Sequence, residues 1–117
     1  SLKDGKYTNK GPFNTGSKQK IGLTGVLNIN GILVIIHEFR AQTLDKEIIR
    51  FTGIEPESQA IIVIKSTIHY RADFQPIASK IIEVDGPGLV MPNVTALTFK
   101  NIRRPAYPFD LEMLRPW

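Results

Sequence analysis

A polar and basic cluster follows an apolar run near the middle of the chain, and its residue types suit ligand binding. Residues 60–64 are apolar and mostly β-branched, which is typical of a strand covered on both faces. Ligands of open α/β sheets bind at the carboxyl ends of such strands. We therefore predict a substrate-binding or interface site directly after this run, without a complete catalytic set. Its candidate residues are Lys65, Ser66, His69, Tyr70 and Arg71.

The two cations of this cluster allow two interpretations. Lys65 and Arg71 could hold an anionic group, since the guanidinium group of arginine offers a bidentate fork to a carboxylate. They could equally form ion pairs with acidic residues further along the chain, namely Asp73, Glu83 and Asp85. Both interpretations stay open on the sequence.

Familiar catalytic motifs are incomplete in this chain. Ser66 and His69 could suggest a nucleophile and its base, but no Gly-x-Ser-x-Gly elbow surrounds Ser66, which we expect to hydrogen-bond its own turn. His37 and Glu38 match the start of the zinc motif His-Glu-x-x-His, whose fifth position is here Ala41. With two histidines and no cysteine, a self-contained zinc site would need both histidines and a carboxylate. We predict no catalytic residue and no metal ligand; a small metal-dependent hydrolase is a further hypothesis.

Composition fits one domain over residues 1–117, of which 42% are hydrophobic. No apolar run approaches the roughly 18 residues of a membrane span, and no signal peptide is visible, so we expect a cytoplasmic protein. The net charge is +4, and five lysines lie in the first 20 residues: Lys3, Lys6, Lys10, Lys18 and Lys20. A solvated basic face is favoured over a nucleic-acid interface, because no RNA-binding aromatic signature or helix-turn-helix pattern accompanies the lysines.

The elements before the cluster are predicted to begin with a loop over residues 1–17. Residues 20–29 and 32–36 form the two strands of a hairpin, because Asn30-Gly31 is the preferred pair for a type I′ turn. Residues 43–52 form a helix with Thr43 as its N-cap and Gly53 just past its end.

The elements around and after the cluster are predicted to alternate. The strand over residues 60–64 leads to a short helix, with Asp73 as its N-cap and Pro76 in its first turn. A strand over 80–84 follows, then a short strand near 94–99 and an irregular tail over 100–117. The resulting fold class is α/β: a mixed sheet with an antiparallel hairpin followed by helix-strand-helix-strand, its helices packed on the sheet.

Four segments in order, over roughly residues 4–110, resemble the C-terminal domain of the MlrC-type (microcystinase C) metallopeptidases. Each segment is weak alone, and the spacing of all four carries the resemblance. They are Asp4-Gly5-Lys6-Tyr7 with Gly11-Pro12 and Thr15-Gly16; Val63-Ile64-Lys65-Ser66 with His69-Tyr70-Arg71-Ala72, Phe74 and Pro76; Ile82-Glu83-Val84-Asp85 with Pro87-Gly88; and Arg103-Arg104-Pro105 with Tyr107-Pro108.

The resemblance implies a piece of a two-domain zinc hydrolase that cleaves peptide bonds. Zinc and the catalytic acid would belong to a larger N-terminal domain, so this piece is expected to hold no cofactor and to be inactive alone. The family's C-terminal domain also begins with an Asp-Asn and glycine-rich segment that this chain lacks, which indicates truncation. The implied partners are the N-terminal catalytic domain and a peptide substrate. The candidate residues from Lys65 to Arg71 would lie at the domain interface or the rim of the cleft.

Two further expectations accompany this interpretation. A severed domain is expected to expose an apolar patch, which self-association into a homo-oligomer could cover. The alternative function is a stand-alone module that binds an anionic ligand or nucleic acid through its basic surface, motivated by the net charge of +4 and the early lysines.

Overall fold

The computed structural model describes residues 1–84, 86 and 93–110. The chain divides into two compact units, Ser1–Ile81 and Ile82–Trp117. The first unit contains the sheet and the candidate residues, so it positions the site. The prediction of a single domain over residues 1–117 stays a prediction.

The sheet of the first unit has three antiparallel strands in the order β1-β2-β3. They are β1 (Leu2–Thr8), β2 (Lys18–Ile29) and β3 (Ile32–His37). Asn30 and Gly31 connect β2 to β3 with φ angles of 51° and 90°, as a type I′ turn requires. The predicted hairpin is therefore confirmed.

The first strand corrects the prediction of a loop over residues 1–17. Only Leu2 and Tyr7 are large and apolar in β1, but its backbone pairs with β2 from Leu2↔Gly25 to Thr8↔Lys18. The register shifts between Gly5 and Lys6, which indicates a β-bulge. Residues 9–17 do form a loop, closed by the Asn9 N–H donating to Ser17 O and the Gly16 N–H donating to Asn9 O.

The first helix is shorter than predicted. Helix α1 spans Glu47–Arg50, and the carboxylate of Asp45, rather than Thr43, accepts the N–H of Glu47 at 2.7 Å. Gly53 lies past the helix end as expected: its φ is +93° and its N–H donates to Arg50 O. A left-handed backbone there favours glycine because it has no Cβ.

The second helix begins earlier than predicted. Helix α2 spans Arg71–Phe74, so Asp73 lies inside it and is not its N-cap. Pro76 falls in a following 3₁₀ turn, Gln75–Ile77, where its missing N–H is tolerated. Two other 3₁₀ turns lie at Pro56–Ser58 and Val94–Ala96.

Three predicted strands are not observed. Residues 60–64 and 80–84 have no strand assignment, and the first of these runs is not buried, since Ile61 and Val63 are 83% and 93% exposed. The segment near 94–99 holds a 3₁₀ turn instead of a strand. The described residues therefore form a mixed α/β structure in which all strand pairs are antiparallel, and the predicted helix-strand-helix-strand order is not confirmed.

One face of the sheet is covered by the end of α1. The Phe51 ring stacks on Tyr7 with centroids 5.4 Å apart, and its carbonyl accepts from Lys3 Nζ at 3.2 Å. Burial, and then the charge of Asp45, raise the pKa of Tyr7 to about 12. On the same face Thr24 is fully buried and its hydroxyl lies 3.1 Å from His37 Nδ1. The prediction that helices pack on the sheet is confirmed for α1.

The burial of His37 makes folding sensitive to acid. Burial lowers the pKa of this imidazole below the ordinary value of about 6.5, because the charged form is desolvated. The unfolded state then binds more protons, so stability is complete above about pH 6.5 and falls as pH drops through the folded pKa. We expect the urea midpoint to decrease between pH 7.5 and pH 5.5, and His37→Gln to flatten that slope. The matched change His69→Gln should keep it, because the His69 ring is exposed; equal slopes in all three proteins would contradict the prediction.

The buried interior of the described residues is largely polar. Its apolar members are Ile21, Ile48, Pro56 and Phe74. Its polar and charged members are more numerous: Asn9, Thr24, Asp45, Glu47, Thr52 and Asp73. Hydrogen bonds of these side chains therefore carry much of the tertiary organisation.

Candidate functional site

The predicted site residues fall into two groups along one stretch of chain. Lys65 is exposed and Ser66 half-buried in an extended segment without secondary structure. Neither of them hydrogen-bonds to another described residue, so the expected bond of Ser66 to its turn is not observed. His69 and Tyr70 form a turn that leads directly into α2 at Arg71. The structure therefore brings His69, Tyr70 and Arg71 together and leaves Lys65 and Ser66 on the approach to them.

Aromatic contacts shape the turn. The His69 ring lies 5.5 Å from the Phe13 ring, tilted by 42°, which joins the turn to the loop over residues 9–17. The Arg71 guanidinium carbon lies 5.5 Å from the centroid of Tyr70, within the range of a cation–π contact. These contacts restrict the rings and hold a cation beside an aromatic surface.

Asp73 connects the turn to neighbouring segments of the first unit. Its side chain is buried, and its Oδ2 accepts the Lys46 N–H at 2.7 Å. Gly11 passes so close that a Cβ at this position would lie 2.7 Å from Asp73 Cγ. The motif Gly11-Pro12 thus lets the loop approach the carboxylate, and α2 is tied to both the loop and the start of α1.

Asp45 connects the same loop to α1. Its side chain is 1% exposed, and its Oδ2 accepts the N–H groups of Lys10 at 2.7 Å and Gly11 at 2.6 Å. Its Oδ1 accepts the N–H of Glu47. Three backbone donors therefore converge on one buried carboxylate. These hydrogen bonds stabilise the part of the fold that supports His69 and Arg71.

The cations near α1 are neutralised. Lys46 Nζ lies 2.9 Å from Glu57 and 3.7 Å from Asp73, and Lys10 Nζ lies 3.1 Å from Glu47. Arg50 pairs with Glu55 at 2.8 Å and with Glu57 at 2.6 Å. The hydrogen bond to Glu55, and then that to Glu57, raise the pKa of Arg50. In this network each cation faces a carboxylate, so it is a structural network rather than an anion site. Asp73, one proposed partner of the cations, is engaged by Lys46.

The described residues contain no group of three or more His, Cys, Asp or Glu side chains that could hold a metal ion. His37 ends β3 beside Thr24, whereas His69 lies in the turn beside Phe13. Glu38, the second residue of the incomplete zinc motif, accepts the Leu23 N–H at 2.8 Å. The donor set of the described chain does not fit a zinc site.

In the second unit Arg104 forms an ion pair with Asp110. Arg104 Nη1 lies 3.1 Å from both carboxylate oxygens of Asp110, and its guanidinium lies 5.0 Å from the Phe109 ring. The Ala106 N–H, and then Arg104, lower the pKa of Asp110. A shallow cavity of about 510 Å³ lies beside Arg104 and Phe109. The guanidinium group of Arg104 is therefore already paired with the Asp110 carboxylate within this unit.

Two buried residues of importance were missed by sequence reasoning. Asp45 lies in the helix predicted over residues 43–52 without a role of its own, and Asn9 lies in the predicted loop over residues 1–17. Asn9 is 2% exposed, and neither its Nδ2 nor its Oδ1 has a hydrogen-bond partner among the residues that the structure describes. The signal for Asp45 was its position two residues before α1, which is typical of a capping carboxylate. No local pattern marks Asn9.

Within the part of the chain that the structure describes, no helix has the length and apolar character needed to cross a bilayer.

The first unit presents an extended segment that leads to the turn from His69 to Arg71. An aromatic contact joins this turn to the loop over residues 9–17, and two buried carboxylates hold the neighbouring segments. No metal-binding group of three or more His, Cys, Asp or Glu side chains is present among the described residues. This arrangement can bind or position a ligand.

Comparison with known proteins gives this arrangement a family. The model of the MlrC C-terminus matches residues 1–101, while none of the curated proteins matches. The chain is also similar to the crystal structure of a candidate metallopeptidase from Mesorhizobium sp. BNC1, with 30% identity and a TM-score of 0.73. That match covers 94% of this chain but 22% of the other, so the chain spans less than a quarter of that protein's length. The tethered loop at Gly11, the His69–Arg71 turn and the paired β1 and β2 all lie inside the matched range, and the chain belongs to the MlrC C-terminal domain family.

Proposed function

We propose that this domain is the non-catalytic C-terminal part of a longer zinc-dependent peptidase, in which it shapes the substrate cleft. The observation that carries the proposal is the family match together with the 22% coverage of the similar metallopeptidase. The donor set of the described residues does not fit zinc, so a metal would be held by the rest of the polypeptide, in an N-terminal catalytic domain. There it would supply Lewis-acid activation of water.

The role we assign to this chain is recognition of the peptide substrate. Arg71 is the first residue of α2 and lies against Tyr70. We assign its guanidinium group, which has the planar fork that suits a carboxylate, to substrate binding. Lys65 lies exposed on the approach and adds a second positive charge. Ser66 and His69 complete a polar rim that would face the cleft or the catalytic domain.

The predicted strands over 60–64 and 80–84 fit the same proposal. Ile61 and Val63 point outward at 83% and 93% exposure, and Ile82 and Val84 at 73% and 85%. Alternate β-branched side chains of this kind suit strands that pair within a larger sheet. We propose that both segments become strands in the complete polypeptide. A cytoplasmic location stays a prediction.

Arg71→Ala, introduced into the longer polypeptide, tests the binding role. We expect kcat/KM for peptides with a free terminal carboxylate to fall about 10- to 100-fold, because a charge-assisted hydrogen bond contributes about 1.5 to 3 kcal/mol. Amidated peptides should be cleaved equally well by both proteins, and Arg71→Lys should lie between them because it keeps the charge without the fork. Arg40→Ala, at an exposed position outside the turn, is the matched control. Kinetics of Arg71→Ala that equal the parent's for both peptide types would reject the role.

The alternative is a stand-alone module that binds an anionic ligand or nucleic acid. Among the five early lysines, Lys3 donates to Phe51 O, Lys6 pairs with Asp4 and Lys10 pairs with Glu47. Lys18 and Lys20 are exposed and form no ion pair with a described residue, which is the observation in favour of this alternative. Steeply salt-dependent retention on immobilised nucleic acid would support it, and passage through the column at low salt would count against it.

A further inference from the structure

The face of the sheet that α1 leaves uncovered is apolar over most of its area. Cross-strand partners point to the same face, so the pairs Leu2↔Gly25, Gly25↔Ile36, Leu27↔Val34 and Ile29↔Ile32 define one surface, to which Leu23 also belongs. We call this surface the open face. Its large apolar side chains, each between 50% and 68% exposed, are Leu2, Leu23, Leu27, Ile29, Ile32 and Ile36.

One end of the open face is basic. Side chains alternate along β1, so Asp4, Lys6 and Thr8 share the face of Leu2. Lys6 pairs with Lys20 and Thr8 with Lys18 across the ladder, so three lysines gather beyond the bulge. Asp4 is held by Lys6, which leaves Lys18 and Lys20 without an ion pair among the described residues. The open face thus combines an apolar area with a cationic border.

Such a surface is costly to leave in water. A soluble protein rarely exposes a contiguous patch of large aliphatic side chains unless the patch is an interaction site. The opposite face of the same sheet shows the usual solution, since Phe51, Tyr7 and Thr24 pack there out of solvent. The open face therefore requires a second layer, which the described residues of the first unit do not supply.

We propose that the open face docks on the remainder of a longer peptidase polypeptide, which covers Leu27 and Ile36 with apolar side chains and meets Lys18 and Lys20 with carboxylates. The inference rests on the proposed function, because the similar metallopeptidase contains a polypeptide of which this chain covers 22%. That remainder supplies the layer in cis, so the contact needs no separate association step.

A second copy of this chain fits the face less well. Stacking two open faces would bring the lysine ends against a surface whose acidic residue Asp4 already pairs with Lys6. Lys18 and Lys20 of each copy would then be partly desolvated without a counter-charge, which is unfavourable. Charge complementarity therefore selects a partner with acidic groups at one end of its contact area.

Site-specific thiol labelling tests the docking directly, because this chain has no cysteine of its own. Leu27→Cys and Ile36→Cys place a thiol on the open face at half-exposed positions, which keeps the packing of the covered face intact. Ser58→Cys, at an exposed position in the 3₁₀ turn Pro56–Ser58 and outside both the sheet and the candidate site, is the matched control. Each variant is labelled with a maleimide reagent in the 117-residue chain and in the complete polypeptide, and the modified peptide is quantified by mass spectrometry.

The expected result is labelling at residues 27 and 36 at least about tenfold slower in the complete polypeptide, because interface cores exclude solvent. The rate at residue 58 should not change between the two proteins. The double change Lys18→Glu and Lys20→Glu should restore fast labelling at residue 27 in the complete polypeptide.

Three outcomes would overturn the proposal. Equal labelling at residue 27 in both proteins would show that the face stays open. Protection that grows with the concentration of the 117-residue chain would assign the face to a second copy, and protection that needs vesicles of phosphatidylserine would assign it to a lipid surface.

The labelling rates and the kinetics of Arg71→Ala are separate readouts. Protection of the open face with unaltered cleavage kinetics would uphold the docking and reject the substrate-binding role. The reverse pattern would uphold the substrate-binding role and reject this docking surface.

Discussion

Asp45→Ala should destabilise the first unit more than other single side-chain truncations at its surface or loops. The change removes the acceptor of the Lys10, Gly11 and Glu47 N–H groups at once, in a position that is 1% exposed. Hydrogen bonds to a charged group contribute about 1.5 to 3 kcal/mol each, and shared geometry makes them less than additive. We expect a loss of about 3 to 4 kcal/mol in the free energy of unfolding, measured by urea denaturation followed by circular dichroism.

Two companion variants give this prediction its control. Asp45→Asn keeps one oxygen acceptor and should lose less than Asp45→Ala. Asp4→Ala removes an exposed carboxylate that pairs only with Lys6, so its effect should stay below about 1 kcal/mol. Equal stability of Asp4→Ala and Asp45→Ala would show that the convergence of backbone donors on Asp45 does not stabilise the fold.

Gly5→Ala should disrupt the pairing of β1 with β2. A Cβ at Gly5 would lie 2.3 Å from the carbonyl oxygen of Gly22 and 2.8 Å from Thr24 Oγ1. The first contact is with backbone at the bulge, where Gly22 itself has a φ of +74°, so the strand must shift to accept a methyl group. Overpacking of this kind costs about 1 to 3 kcal/mol, and we expect a value at the upper end because the carbonyl is held in the ladder.

Gly25→Ala is the matched control for this strand pair. Gly25 lies on the neighbouring strand, and a Cβ there would meet only Leu2 Cδ1 at 3.9 Å, an ordinary contact distance. Its free energy of unfolding should change by less than about 0.5 kcal/mol, as for exposed positions generally. If both glycine variants unfold at the same urea concentration, the tight approach at Gly5 has no energetic weight.

The local part of the fold could be predicted from the sequence. Asn30-Gly31 fixes the hairpin because both residues must adopt positive φ, and no distant residue is needed for that inference. Gly53 marked the end of α1 for the same reason. The family was predicted as well, and three of the four motif segments lie within the matched residues 1–101.

Elements that depend on distant partners could not be predicted. Strand β1 carries little apolar periodicity and exists because β2 pairs with it across the bulge. The start of α1 is set by Asp45. Its carboxylate also accepts the N–H groups of Lys10 and Gly11, which lie 35 and 34 positions earlier in the chain. Residues 60–64 show the opposite failure: their composition indicates a buried strand, but no described residue pairs with them. Period and propensity report the preference of a segment, whereas pairing depends on the partner.

The candidate site stays a prediction, because the strand over residues 60–64 on which its placement rested is not observed. The contact of His69 with Phe13 spans a large separation in sequence and could not be predicted from a local pattern. The buried base of Asp45 and Asp73 was missed, since a carboxylate that serves backbone donors looks like any surface acid in a sequence. Whether the candidate residues bind substrate stays a prediction.

The polar interior of the described residues has a thermodynamic consequence. Unfolding exposes apolar surface, which raises the heat capacity, and polar surface, which lowers it. Here the buried apolar side chains are Ile21, Ile48, Pro56 and Phe74, against six buried polar or charged ones. The heat-capacity increment of unfolding should therefore lie below the usual value of about 12 to 15 cal/mol/K per residue. The free energy of unfolding would then change only slowly with temperature and decrease little on cooling. A second layer on the open face would bury more apolar surface and so make the free energy of unfolding depend more strongly on temperature.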